Sequence, residues 1–141
     1  MGVTRIPQWL RQALVFAGAW HLALGVTMIL APFAFYDLAG LPRPNYPQAW
    51  QAVGTLTASM GLGYAIAARN PLRYWPVVLI GWIPKVIVPI GFLWYTASGQ
   101  LPLAFGSLVL VHDVAWLAPF TMLLWLAVRE QAAGEYPRST F

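Results

Sequence analysis

The sequence predicts an all-α integral membrane protein: a four-helix bundle forming one transmembrane domain over residues 1–141, with both termini cytoplasmic and the third and fourth helices kinked. Three observations carry this expectation. Hydrophobic residues are 60% of the chain and charged residues 9%, with mean hydropathy +0.64, which leaves too little polar surface to cover a soluble domain. Four apolar runs of spanning length nearly exhaust the 141 residues, so no extramembrane region is large enough to bury its own core. Arginines and tryptophans gather at the ends of those runs.

The first helix is expected over about residues 9–36 and the second over about 50–68. Between them lies "DLAGLPRPNYPQ", residues 37–48, an external loop whose three prolines and glycine exclude helix. The third helix, about 75–96, follows the tight connection "RNPLRY", with Pro76 at a helix start, where a missing N–H costs least. The fourth, about 105–128, is reached through "ASGQLPL". Pro84, Pro89 and Pro119 each remove a helical hydrogen bond and crowd the preceding turn, hence the expected kinks.

With four spans, one side of the membrane carries Arg5, Arg11, Arg69, Arg73, Arg129 and Arg138, against Arg43 alone on the other. The positive-inside rule places the first set on the cytoplasmic side. Trp9, Trp75 and Trp125 then form one interfacial belt, and Trp50, Trp94 and Tyr95 the other. The first run is too long for a signal-peptide core and no small-x-small cleavage site follows it, so it is expected to stay in the mature chain. "LAPF" occurs at 30–33 and 117–120 without alignable flanks and does not make a repeat.

Lipid gives helices no hydrophobic reason to associate, so small residues mark contact faces. Gly54, Ala58, Gly61, Ala65 and Ala68 in the second helix, with Ala17, Gly18, His21 and Gly25 in the first, predict a close approach of these two. Gln51, Thr55 and Ser59 form a polar line at i, i+4 and i+8, either bonding back to their own helix or helping coat a polar cavity.

The functional signal is depth. Counted at about 1.5 Å per residue from the cytoplasmic tryptophans, His21, Lys85 and Asp113 lie roughly 15–18 Å deep, with His112 slightly beyond, near the middle of a hydrocarbon core about 30 Å thick. Lysine or aspartate at a helix centre costs about 2.5–3.5 kcal/mol on insertion scales, so each must face the bundle or water and find a partner. Lys85 and Asp113 are expected to pair across sequential helices. Either the pair is a buried salt bridge fixing helix register, or it lines a ligand cavity with His21 and His112, and Trp82 and Trp116 as further wall residues.

Two cofactors are chemically coherent with these residues. Histidines on different helices can clamp a haem iron, which would make His21 and His112 metal ligands. A retinal-type Schiff base on Lys85 would take Asp113 as counter-ion and Trp82 and Trp116 as walls. The absence of cysteine removes disulfides and thiolate chemistry, and no HExxH, GxSxG or phosphate loop is present, so an enzyme is the third-ranked reading. Basic residues lie singly rather than in a patch, against a nucleic-acid partner despite net charge +4.

The ordered segments "AWHLALG", "GLPRPNYPQAWQ", "RYWP", "IPKVIVPIGF" and "HDVAWLAPF" resemble a group of small, uncharacterised bacterial four-helix membrane proteins over about residues 18–120. That resemblance implies architecture and no activity. Small multidrug exporters carry a glutamate in the first helix, where this chain has His21, which argues against that kind of proton-coupled export. The expected function is binding or transport of a small or lipophilic ligand at the midplane cluster, with the bilayer as first partner. The rival is an accessory subunit of a homo-oligomer or larger membrane complex in which the Lys85–Asp113 pair is structural.

Overall fold

The computed structural model describes residues 6–132. Of these, 79% are helical and none is in a strand, so the fold is all-α. Helix α1 runs Gln8–Leu30, a short α2 Ala34–Leu38, α3 Pro47–Ala67, α4 Trp75–Ala97, and α5 Phe105–Val109. A π-helical turn over Leu110–Val114 joins α5 to α6, Ala115–Ala132, making one column from 105 to 132. Three segments, α1, α4 and the α5–α6 column, are long and apolar enough to cross a membrane, which marks a membrane protein. The arrangement is inside-out in polarity. Phe16, Leu56, Ile90 and Trp94 are each more than 60% exposed, while His21, Lys85 and Asp113 are buried.

Two boundaries correct the expectation. The first helix stops at Leu30 rather than near Tyr36, because Ala31 precedes Pro32 and adopts φ −132°, ψ 66°, outside the helical region. The connection to α3 consequently starts earlier than the expected 37–48 loop, running 31–46, and helix is not excluded from that stretch: α2 takes in Asp37 and Leu38, with Asp37 held by a bidentate ion pair to Arg43 at 2.7 and 2.8 Å, and α3 begins at Pro47. The interruption in the fourth column falls at the π turn, upstream of Pro119, while α4 continues unbroken through Pro84 and Pro89.

Helices α1 and α3 pack antiparallel along their small residues. A Cβ on Gly18 would press on the backbone of Gly61 and Ala65, and one on Gly25 would meet the backbone of Gly54 and Ala58. Each helix also satisfies the other's orphan C-terminal carbonyls. Arg11 of α1 donates to the Ala68 and Arg69 carbonyls at 3.3 and 3.2 Å, and Gln51 of α3 donates to the Ile29 carbonyl at 2.8 Å.

By contrast, α3 and α4 meet near one end. Val77 packs against Gly63, and Gly81 leaves the space that the Tyr64 ring fills. Gly81 thus makes room for Tyr64. From that contact towards Trp50 and Tyr95, a cavity of about 670 Å³ separates the two helices.

Candidate functional site

The closed end of that cavity is formed by His21, Lys85, His112 and Asp113. Lys85 is 1% exposed and its ammonium has three N–H groups to place. One goes to His21 Nε2 at 2.8 Å and one to the His112 carbonyl at 2.9 Å, and the nearest carboxylate oxygen of Asp113 lies at 3.8 Å. The first two are hydrogen bonds. The third is an ion pair beyond hydrogen-bond length, so Lys85–Asp113 is a buried salt bridge in which the carboxylate is not the lysine's closest partner.

His21 has one consistent tautomer. Its Nδ1 lies 2.7 Å from the Ala17 carbonyl, which can only accept, so Nδ1 carries the proton and Nε2 offers its lone pair to Lys85. Around this pair stand aromatic rings: Tyr64 is edge-on to His21 at 5.0 Å, and the Lys85 nitrogen is 5.9 Å from the Tyr64 centroid and 5.8 Å from that of Phe120. The charge is thus held by a ring nitrogen, a carbonyl, a carboxylate and two π faces.

The π turn explains how His112 and Asp113 serve one site. Adjacent residues of an α-helix point about 100° apart, so His112 would be expected to face a different neighbour. Widening the turn over Leu110–Val114 brings both onto the cavity wall. Two carbonyls in that turn receive side-chain donors, Val111 from the Trp116 indole at 3.1 Å and His112 from Lys85. Lysine therefore satisfies backbone of the neighbouring helix rather than the carbonyls released by Pro84 and Pro89 on its own.

Several residues expected on the wall lie elsewhere. Thr55 and Ser59 bond back to the carbonyls of Gln51 and Thr55 at 3.0 and 2.9 Å, and Gln51 caps α1. The Trp82 indole donates to Thr121 at 2.8 Å, and Trp116 stands behind His21 with ring centroids 6.2 Å apart. None of these five lines the cavity. Its wall is apolar and aromatic instead, with Trp50, Met60, Tyr64, Phe92 and Phe105 prominent, and Thr57 as an added polar group. Tyr64 lies four residues from the end of its apolar run, where a tyrosine reads as interfacial, so nothing in the sequence marked it as a wall residue. At the far end, Phe35 and Tyr36 of α2 pack on Trp50 and Phe105 with centroids 5.1–6.3 Å apart.

The histidines do not fit an axial haem pair. Their ring centroids are 4.4 Å apart in a tilted stack, leaving no room for a macrocycle between them, and both His21 nitrogens are engaged. Among the described residues no group of three or more His, Cys, Asp or Glu side chains is placed to hold a metal ion. For a Schiff base on Lys85, the two tryptophans expected as walls stand outside the cavity.

No protein family, curated protein or solved structure matches this chain in the comparisons made. The functional reading therefore rests on the site's own chemistry.

Proposed function

We propose that this protein is a four-span membrane protein that binds a lipophilic small molecule in the cavity between α3 and α4, the polar cluster forming the cavity's inner end. In this reading α3 is the fourth span. Its 21 residues reach about 31 Å at 1.5 Å per residue, enough for the hydrocarbon core, and its polar Gln51, Thr55 and Ser59 have partners within the chain. The cytoplasmic side is the one bearing Arg11, Arg69, Arg73 and Arg129; Arg5 and Arg138, which add to the same bias, lie outside the described residues. A bacterial inner membrane is the setting this orientation assumes.

The observation that carries the proposal is the cavity itself. At about 670 Å³ it falls within the range of small-molecule sites, about 300–1,000 Å³. Leu56 on its α3 wall and Ile87 on its α4 wall are 69% and 61% exposed, so the cavity opens sideways, towards lipid in a membrane. An apolar ligand would enter from the hydrocarbon without crossing water.

A second reading has its own support. Lys85 is fully partnered within the chain, as expected of a cation that fixes helix register, and the open cleft would then receive a helix of another subunit. Gly91 separates the two. It lines the cavity, and a side chain there meets nothing within 4 Å, so Gly91→Trp fills the space without touching the cluster. Native mass spectrometry of gently extracted protein is expected to show a small-molecule adduct that Gly91→Trp loses. Loss of a stoichiometric protein partner instead would favour the subunit reading.

A further inference from the structure

The ligand's head is an uncharged hydroxyl: we infer that the cavity takes a lipophilic alcohol or phenol whose O–H docks between Asp113 and His112. This inference rests on the binding reading above and adds the class of ligand.

The inner end of the cavity is defined by what remains unpartnered there. The Lys85 ammonium donates two hydrogen bonds, to His21 and the His112 carbonyl, and its charge is already balanced by the Asp113 carboxylate at 3.8 Å, so an incoming anion would compete with Asp113 for it. Asp113 is 4% exposed, lines the cavity, and accepts no hydrogen bond among the described residues, its lysine standing at 3.8 Å. His112 lines the same wall. Its ring makes no hydrogen bond among the described residues; Nδ1 is fully enclosed and beyond a ligand's reach, which leaves Nε2 as the nitrogen that can meet one. A buried carboxylate and imidazole left in this condition each forgo hydrogen bonds they would have in water.

A hydroxyl has the matching pair of functions. Its hydrogen is donated to the Asp113 carboxylate and its oxygen accepts from the Nε2–H of His112. Other heads match less well. A fatty carboxylate brings a second negative charge beside Asp113, which already balances the lysine. A ketone or ester has no hydrogen for the carboxylate, and an alkane leaves both groups unpaired. Depth points the same way. Reaching the midplane through a lateral opening takes the head through hydrocarbon, where an ionised group is costly and a single hydroxyl much less so.

The test is a matched series on the full chain in detergent: hexadecan-1-ol, hexadecanoate and hexadecane, each titrated while the thermal unfolding midpoint is followed. The expected result is a rise with the alcohol, half-maximal at a concentration at least tenfold below that needed for either other probe. In His112→Phe, which keeps a ring against His21 and removes both nitrogens, the alcohol's advantage is expected to fall to within about threefold. Hexadecanoate or hexadecane acting at concentrations equal to or below the alcohol's would overturn the hydroxyl assignment while leaving the cavity as a binding site. No stabilisation by any of the three would overturn both.

Discussion

Lys85 hydrogen-bonds His21 across the bundle, Nζ to Nε2 at 2.8 Å, more closely than it approaches the Asp113 carboxylate at 3.8 Å. The histidine's other nitrogen is anchored to the Ala17 carbonyl, so a proton on Nδ1 of α1 fixes an acceptor for a cation on α4. The lysine ties α1, α4 and the π turn together at one depth.

Removing that tie is expected to be costly. Lys85→Met leaves a buried carboxylate without its counter-ion, and breaking a buried pair from one side typically costs about 3–5 kcal/mol. The double variant Lys85→Met/Asp113→Leu is expected to recover most of the loss, because replacing both charges by apolar side chains is often near neutral. Reversible unfolding of bicelle-reconstituted protein checks both. Equal destabilisation in the single and double variants would show that the histidine and carbonyl contacts, rather than the ion pair, account for the loss.

The α1–α3 seam makes a sharper steric prediction. A methyl at Gly25 meets backbone atoms of Gly54 and Ala58, which cannot rotate aside, so Gly25→Ala is expected to destabilise by about 1–3 kcal/mol. Gly91→Ala meets nothing and is expected to change stability by less than about 1 kcal/mol. The same unfolding measurement compares the two.

Where α3 ends beside the start of α1 the expected effect is smaller. Arg11→Ala withdraws donors from the Ala68 and Arg69 carbonyls, groups that water can reach, and is expected to cost about 0.5–1.5 kcal/mol. Faster amide hydrogen exchange at the end of α3 would accompany it.

The connection between α1 and α3 offers a pH signature. Hydrogen bonds from Arg43 hold the Asp37 carboxyl below the usual carboxylate range. A depressed folded pKa means that the pair's contribution is present above the unfolded value, about 3.9 for aspartate, and is lost as pH falls through the lower folded value. Carbon-detected NMR titration is expected to show Asp37 moving up to the ordinary range in Arg43→Gln. An unchanged titration would mean that the ion pair does not persist in solution.

How far the sequence could be read depended on which physical signal each residue carries. Spanning length and apolarity located the helical columns, and the spacing of Gly18 and Gly25 against Gly54 and Gly61 located a seam, because both are local or periodic properties. Counting along the helices put Lys85, Asp113 and His21 at one level, and the structure brings the three side chains together. What could not be counted was side-chain direction. A π turn alters the angle between His112 and Asp113, and Ala31 before Pro32 ends α1 early; both are backbone events that the apolar pattern does not record. The polar line Gln51–Thr55–Ser59 has the spacing of a cavity lining, yet each group found a carbonyl nearer to hand. The true wall, with Tyr64, Phe92 and Phe105, carries apolar and aromatic side chains that in a membrane sequence look the same whether they face lipid, a neighbour or a ligand.

The claim at the centre of this account is that the space between α3 and α4 is a ligand site ending at Asp113. A density map of the protein taken directly from native membrane into lipid nanodiscs tests it most directly. The account predicts elongated density between α3 and α4 that ends within hydrogen-bonding distance of the Asp113 carboxylate. A helix of another polypeptide lying in that space, or α3 closed against α4 with the cavity gone, would contradict it.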